Sequence, residues 1–363
     1  MRFSSGSRLK PKTLKPKSSR KSSRQVEGLG SIGVVAPSAK VPQIELDLGV
    51  AKIKAAGFKV DVHPQCRKTH LFFAGTDEER ASALIDCAKD PEISVIWCAR
   101  GGSGAIRVLP LLDRWKPASR DRSRKLLIGY SDATALMDYV HRKWGWSILH
   151  APMPSMRKFS VLESADWTAI QSWIRKERAA APWEGLKLEF WTQPPKKRIS
   201  GTLIGGNLTV WNGLLGTPYA PKPAKSLLFF EDIDEAHYRI DRMVQQQILS
   251  GAWDQVQAIV LGNFMNCRDY APSVLKSQPH SGDLDRLLNA PTPEELQPLR
   301  ATLEQKEGLR KIWTDVGQRL RIPVVFGLPV GHGPDVSPLP LGADYRLTPE
   351  GILELVNWDW FND

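Results

Sequence analysis

No apolar run in the 363 residues approaches the roughly 20 that a bilayer-spanning helix needs. The first residues contain no apolar segment of the kind that heads a secretory signal, which argues against export. Cysteine is scarce: Cys66, Cys87, Cys98 and Cys267 show no C-x-x-C spacing. Two of the four fall in apolar or helical context, as buried free thiols of a reducing compartment do. No internal repeat is visible. These absences describe a soluble cytoplasmic protein, and 363 residues with 42% apolar content suffice for two domains with a sizeable core.

Acidic residues are missing from one place in particular. Residues 1–24 hold nine Lys/Arg and no Asp or Glu, whereas the rest of the chain balances 41 basic against 39 acidic residues. The net charge of +11 therefore belongs to a Ser/Lys/Arg-rich tail over 1–28, expected to be disordered. Such a tail reads first as a solvated extension, with contact to anionic polymers or a transit peptide ranked behind. The near-neutral body is not expected to bind a specific nucleic acid.

From residue 31 onward strands and helices alternate. SIGVVAP, FKVDVH, ISVIWCA and KLLIGY read as strands, separated by helical runs over about 43–56, DEERASALIDCAKD and AIRVLPLLDRW. After KLLIGY, Leu136, Met137, Val140 and Trp144 share one face at helical spacing. The pattern predicts an N-terminal parallel-sheet α/β domain over 29–160. Residues 161–197, mixed and rich in Lys/Arg, Trp and Pro, read as the interdomain connection. A C-terminal β-rich α/β domain is expected over 198–363, with strands in SLLFFED, QAIVLGNF, VVFGLPVGHG and YRLTPEGILELV and a helix over HYRIDRMVQQQILSGAWD.

In parallel sheets, ligands bind where loops leave the carboxyl ends of strands. Ser131, in Gly-Tyr-Ser-Asp-Ala, sits where an apolar strand turns at once into a helix. That is the setting of a nucleophile elbow, with Ala133 in place of the last glycine of G-x-S-x-G; a serine N-cap produces the same pattern. Ser103, in Gly101-Gly102-Ser103-Gly104, is a rival in a similar setting. Its glycines suit a phosphate cradle or a backbone oxyanion donor, although neither GxGxxG nor GxxxxGK[ST] is present. Glu231 follows SLLFF directly and is either a site carboxylate or an acid leaving the core; with Asp232 and Asp234 it also offers oxygen ligands to Mg²⁺. His332 lies between Gly331 and Gly333 after an apolar strand, a setting the other six histidines lack.

ARGGSGAIRVLPLLD, LIGYSDATAL, GTLIGGNLTVWNGLLGTPY, FFEDIDEAHYRIDR and GLPVGHG followed by LPLGADYRL resemble, in this order, the LD-carboxypeptidase family of serine peptidases. The resemblance runs from about residue 31 to about 356. It implies Ser131 as nucleophile, Glu231 and His332 as its triad partners, and an active site between the two domains. Backbone N–H groups of Asp132 and Gly102 would form the oxyanion hole, and Gly101, Ser103 and Asn207 would contact substrate. The family often carries an aromatic residue where this chain has Ser103, and the segment 268–315 looks longer than usual.

The implied reaction is removal of a terminal D-amino acid from a murein tetrapeptide by a homodimeric enzyme that needs no metal or organic cofactor. A peptidase acting on aminoacyl-nucleotide toxins is the runner-up. A Mg-dependent phosphate- or nucleotide-binding protein is the alternative from another class.

Overall fold

The computed structural model describes residues 30–115, 124–160, 165–268, 298–334 and 336–362. The expected tail over 1–28, and residues 269–297 of the long segment, lie outside these. Five strands pair in parallel: β1 (Ser31–Val35), β2 (Val60–Val62), β3 (Ile93–Cys98), β4 (Leu126–Gly129) and β5 (Ser147–His150). β1, β4 and β5 are buried along their whole length, as nearly continuous apolar strands covered on both faces should be. Helices α1 (Gln43–Ala55), α2 (Asp77–Lys89), α3 (Ala105–Arg114) and α4 (Thr134–Trp144) connect them. α2 begins with a capping box, in which Thr76 Oγ1 accepts from the Glu79 N–H at 3.2 Å and the Glu79 carboxylate from the Thr76 N–H at 2.9 Å.

Two segments sit differently from the sequence expectation. Within 161–197, expected as a connection, lie the helix α6 (Ala165–Ile174), which follows the single turn α5 (Arg157–Ser160), and the short strand β6 (Glu189–Phe190). The sheet order of the second unit is β13-β12-β7-β8-β9-β10-β6, so β6 forms its edge. Its other members are β7 (Ile199–Asn207), β8 (Leu227–Ile233), β9 (Ala258–Met265), β10 (Val324–Phe326), β12 (Ala343–Leu347) and β13 (Leu353–Asn357). Conversely β11 (Leu339–Leu341), late in the chain, pairs antiparallel with β5 and completes the first sheet. An edge strand leaves backbone donors and acceptors open, and a passing apolar tripeptide satisfies them. β12 and β13 form the expected hairpin around Pro349-Glu350-Gly351.

The second sheet lies between two cores. Along β8, Leu227 and Phe229 belong to the large core shared with the first unit, whereas Leu228 and Phe230 belong to a separate core. That second core is built with α8 (His237–Leu249), α9 (Pro298–Leu320) and residues around α7 (Leu208–Asn212). β9 alternates in the same way, with Ala258 and Val260 on one side and Ile259 and Leu261 on the other. Successive strand side chains point to opposite faces, so this parity sets the direction of every polar residue at the strand ends.

Candidate active site

β4 ends at Gly129, Tyr130 is fully extended, and Ser131 takes a left-handed backbone with φ +60°. A non-glycine residue holds that conformation only where its surroundings impose it. Here a 3₁₀ turn over Ser131–Ala133 feeds straight into α4, with the Ala133 N–H donating to the Tyr130 carbonyl at 3.2 Å. Gly101 backs the turn: a Cβ there would lie 2.9 Å from Ser131 Cβ and 3.0 Å from its Oγ, so only glycine permits the approach.

The glycine loop is tied down from three sides. The Asp132 carboxylate accepts the Ala105 N–H at 2.8 Å, the buried Arg80 donates to the Gly104 carbonyl at 2.8 Å, and the Ala39 N–H donates to the Gly101 carbonyl at 3.2 Å. Burial raises the Asp132 carboxyl above its ordinary pKa, against the lowering effect of Ser38, Ala105 and Arg80.

Glu231 lies inside β8 rather than beyond its end, at a register shift between Phe230 and Asp232 in the pairing with β9. By parity it follows Leu227 and Phe229 toward the first unit. Its carboxylate is fully buried and accepts His332 Nδ1 at 2.7 Å and the His332 backbone N–H at 3.0 Å. Gly331 makes the double contact possible: its φ is +108°, and a Cβ would fall 2.6 Å from Glu231 Cβ and from a carboxylate oxygen. Burial pushes the Glu231 pKa up, but the His332 charge and hydrogen bonds outweigh it and the net shift is downward. For His332, burial lowers the pKa while Glu231, Asp232 and Asp234 raise it further, leaving it above its ordinary value. The pair thus favours imidazolium against carboxylate.

Ser131 and His332 face the same cleft of about 810 Å³, together with Gly101, Gly102, Tyr130 and Asp234. A hydroxyl on a strained turn, an imidazole and a buried carboxylate on that imidazole are the parts of an acyl-transfer site. The family model described as the LD-carboxypeptidase N-terminal domain matches residues 32–151, and that of the C-terminal domain matches residues 200–347. A relative from Synechocystis is 31% identical over 86% of this chain and 90% of its own length. The chain belongs to the LD-carboxypeptidase family.

Another relative, the murein tetrapeptide carboxypeptidase of Pseudomonas aeruginosa, is 28% identical over 86% of this chain and 91% of its own. Among solved structures, the muramoyltetrapeptide carboxypeptidase of Oxalobacter formigenes superposes with a TM-score of 0.68 at 27% identity, covering 89% of this chain and 96% of that one.

For this member of the family, the structure brings Ser131, Asp132, Gly101, Gly102, Glu231 and His332 together, sets Asn207 beside Glu231 but outside the cleft lining, and leaves Ser103 off that lining. Ser103 is exposed on the glycine loop and is not among the cleft lining. Asn207 is buried, and its side chain is engaged within the protein. Nδ2 donates to Asp232 at 2.9 Å and toward Glu231 at 3.4 Å, while Oδ1 accepts the Val210 N–H at 3.1 Å. Its own N–H donates to Thr134 Oγ1 at 3.0 Å, linking β7 to the start of α4.

Asp232, of opposite parity to Glu231, turns to the other face and accepts from the Thr209 N–H and hydroxyl at 2.9 and 2.8 Å. Burial and then Glu231 push its pKa up to about 6. Of the oxygen ligands considered for Mg²⁺, those of Glu231 and Asp232 are therefore engaged by protein donors, and Asp234 lines the cleft. Among the described residues no group of three or more His, Cys, Asp or Glu is placed to hold a metal ion, and no helix is long and apolar enough to cross a membrane.

His150 was not among the sequence candidates. It is fully buried, its ring 5.3 Å from Tyr130 and 5.4 Å from Phe229, and Tyr130 in turn lies 4.8 Å from the His332 ring. The signal was present in Ser147-Ile148-Leu149-His150, a polar residue closing an apolar strand, the same rule that singled out Glu231.

Proposed function

We propose that the protein is a serine carboxypeptidase that removes the terminal D-amino acid, D-alanine, from a murein tetrapeptide. Ser131 Oγ attacks the carbonyl carbon of the L,D-amide while His332 takes the hydroxyl proton. The N–H groups of Asp132 and Gly102 hold the oxyanion, helped by the N-terminus of α4, which favours negative charge. The C–N bond then breaks as His332 returns the proton to the leaving amine. Water, deprotonated by the same imidazole, attacks the acyl-enzyme, and its proton goes back to Ser131 as the peptide leaves. Glu231 fixes the imidazole tautomer through Nδ1 and stabilises the imidazolium. Asn207 steadies Glu231 from the side. No step calls on a metal or an organic cofactor.

The observation that carries this reading is the 2.7 Å contact between Glu231 and His332 in the cleft that also holds the left-handed Ser131. The two family-model matches support a nucleophile from an N-terminal unit and its partners from a C-terminal one. We further propose that the enzyme works as a homodimer in the cytoplasm on peptides released during wall recycling. The four free, buried cysteines fit a reducing compartment.

The test is mass spectrometry of the purified protein with two tetrapeptides that differ only in the configuration of the terminal alanine. Inverting one α-carbon while the rest of the peptide stays seated displaces the scissile carbonyl, and about 1 Å of misplacement costs roughly 10²-fold in rate. The D-epimer should be cut at least that much faster. Equal kcat/KM for both epimers would remove the L,D-specific reading. Cleavage of an aminoacyl-nucleotide conjugate in preference to both would transfer the site to the detoxifying reaction.

A further inference from the structure

We propose that Arg100 is the anchor for the terminal carboxylate of the substrate, and hence the residue that makes the site an exopeptidase. The inference rests on the carboxypeptidase reading above. In the bond to be cut, the leaving amine carries the carboxylate only one carbon away, so the group that recognises it must share the cleft with Ser131. The charged side chains lining that cleft are Glu45, Arg100, Arg157, Asp234 and His332. His332 is held by Glu231, and Arg157 approaches Glu45 at 3.7 Å on the outer rim. Asp234, which shares a wall with His332, repels a carboxylate. Arg100 is the remaining cation, and among the described residues it has no acidic partner.

Its place in the chain gives it a fixed direction. Arg100 immediately precedes Gly101, the residue packed on Ser131, and follows β3 with the loop that would supply an oxyanion donor. One N–H of its guanidinium donates to the Lys40 carbonyl at 2.7 Å, and the adjoining Ala39 is bonded to Gly101. A guanidinium has five N–H donors, so one bond orients the group and leaves others for a planar, two-toothed grip on a carboxylate. Arg100 as a residue is only partly exposed. Arg157, by contrast, is 92% exposed along its side chain.

The experiment measures kcat/KM of the wild type, Arg100→Gln, Arg100→Lys and Arg157→Gln on the D-alanine tetrapeptide and on its C-terminal amide. The wild type should prefer the acid by about 10²-fold, the scale of a paired charge-assisted hydrogen bond. Arg100→Gln should lose most of that factor on the acid and change the amide rate far less, which collapses the preference. Arg100→Lys should recover part of it, since a point charge replaces the fork. Arg157→Gln should preserve it. If the wild type cuts acid and amide equally, the carboxypeptidase reading itself fails. If the wild type discriminates and Arg100→Gln still does, or if Arg157→Gln is the variant that loses the preference, the anchor is not Arg100.

Discussion

His150 makes the acid stability of this protein sensitive to a single buried ring. It is fully buried between Tyr130 and Phe229, and among the described residues neither ring nitrogen has a hydrogen-bond partner. Burial pushes its pKa from 6.5 down to about 4, with Glu231 opposing the shift and His332 adding to it. Between those two values the unfolded chain binds a proton that the native state refuses, so stability falls as pH falls. Integrating the linkage from high pH gives a loss on the order of 1 kcal/mol by pH 5.5, rising to roughly 2–3 kcal/mol by pH 4.5.

Asp232 acts in the opposite sense, because its raised pKa of about 6 lets the native state take up a proton first. A bare pH profile therefore mixes the two. His150→Leu separates them: it nearly conserves volume, removes two unpartnered polar atoms and leaves Asp232 in place. Urea unfolding of both proteins at pH 8, 5.5 and 4.5, at one ionic strength, reads the difference. The variant should gain on the wild type by roughly 2–3 kcal/mol between pH 8 and pH 4.5. A gap that stays constant across the three pH values refutes the argument, because it would mean that His150 titrates alike in both states.

Ser131→Ala should lower kcat on the order of 10⁶-fold, the scale of losing a triad nucleophile, and Ser103→Ala should cost far less; single-turnover assays with the tetrapeptide decide between them. The general base must be neutral, and His332 titrates above its ordinary value. kcat/KM should therefore rise with pH through a midpoint above 6.5, and Glu231→Gln should both slow the reaction and move that midpoint down. Gly331→Ala places a methyl group 2.6 Å from Glu231 at a left-handed φ. It should destabilise the fold by roughly 1–3 kcal/mol and cut kcat, measured by urea unfolding and by turnover. Deleting residues 1–24 should leave turnover of the soluble tetrapeptide unchanged, since the body is near neutral without them; a loss confined to polymeric murein at low salt would instead assign the tail to tethering.

Local sequence was enough for much of this molecule. Apolar β-branched runs of the length of Ile93–Cys98, alternating with helical spacing such as that of Leu136, Met137 and Val140, can bury themselves only as a covered parallel sheet. The abrupt passage from KLLIGY to a helix placed Ser131 on a turn, and the glycines around His332 marked a close approach. These signals are short-range, carried by neighbours within a few residues.

What tertiary structure decided are relations between distant segments. Leu339–Leu341 crosses into the first sheet because β5 presents an open edge, which no local pattern announces. Of the acids in EDID, Glu231 reaches the imidazole and Asp232 braces α7, because β8 is buried on both faces and its parity divides them. Asn207 contacts two carboxylates rather than solvent because β7 and β8 run side by side in parallel. His150 acquires its depressed pKa only when Tyr130 and Phe229 close over it, since the burial that shifts it comes from both units at once.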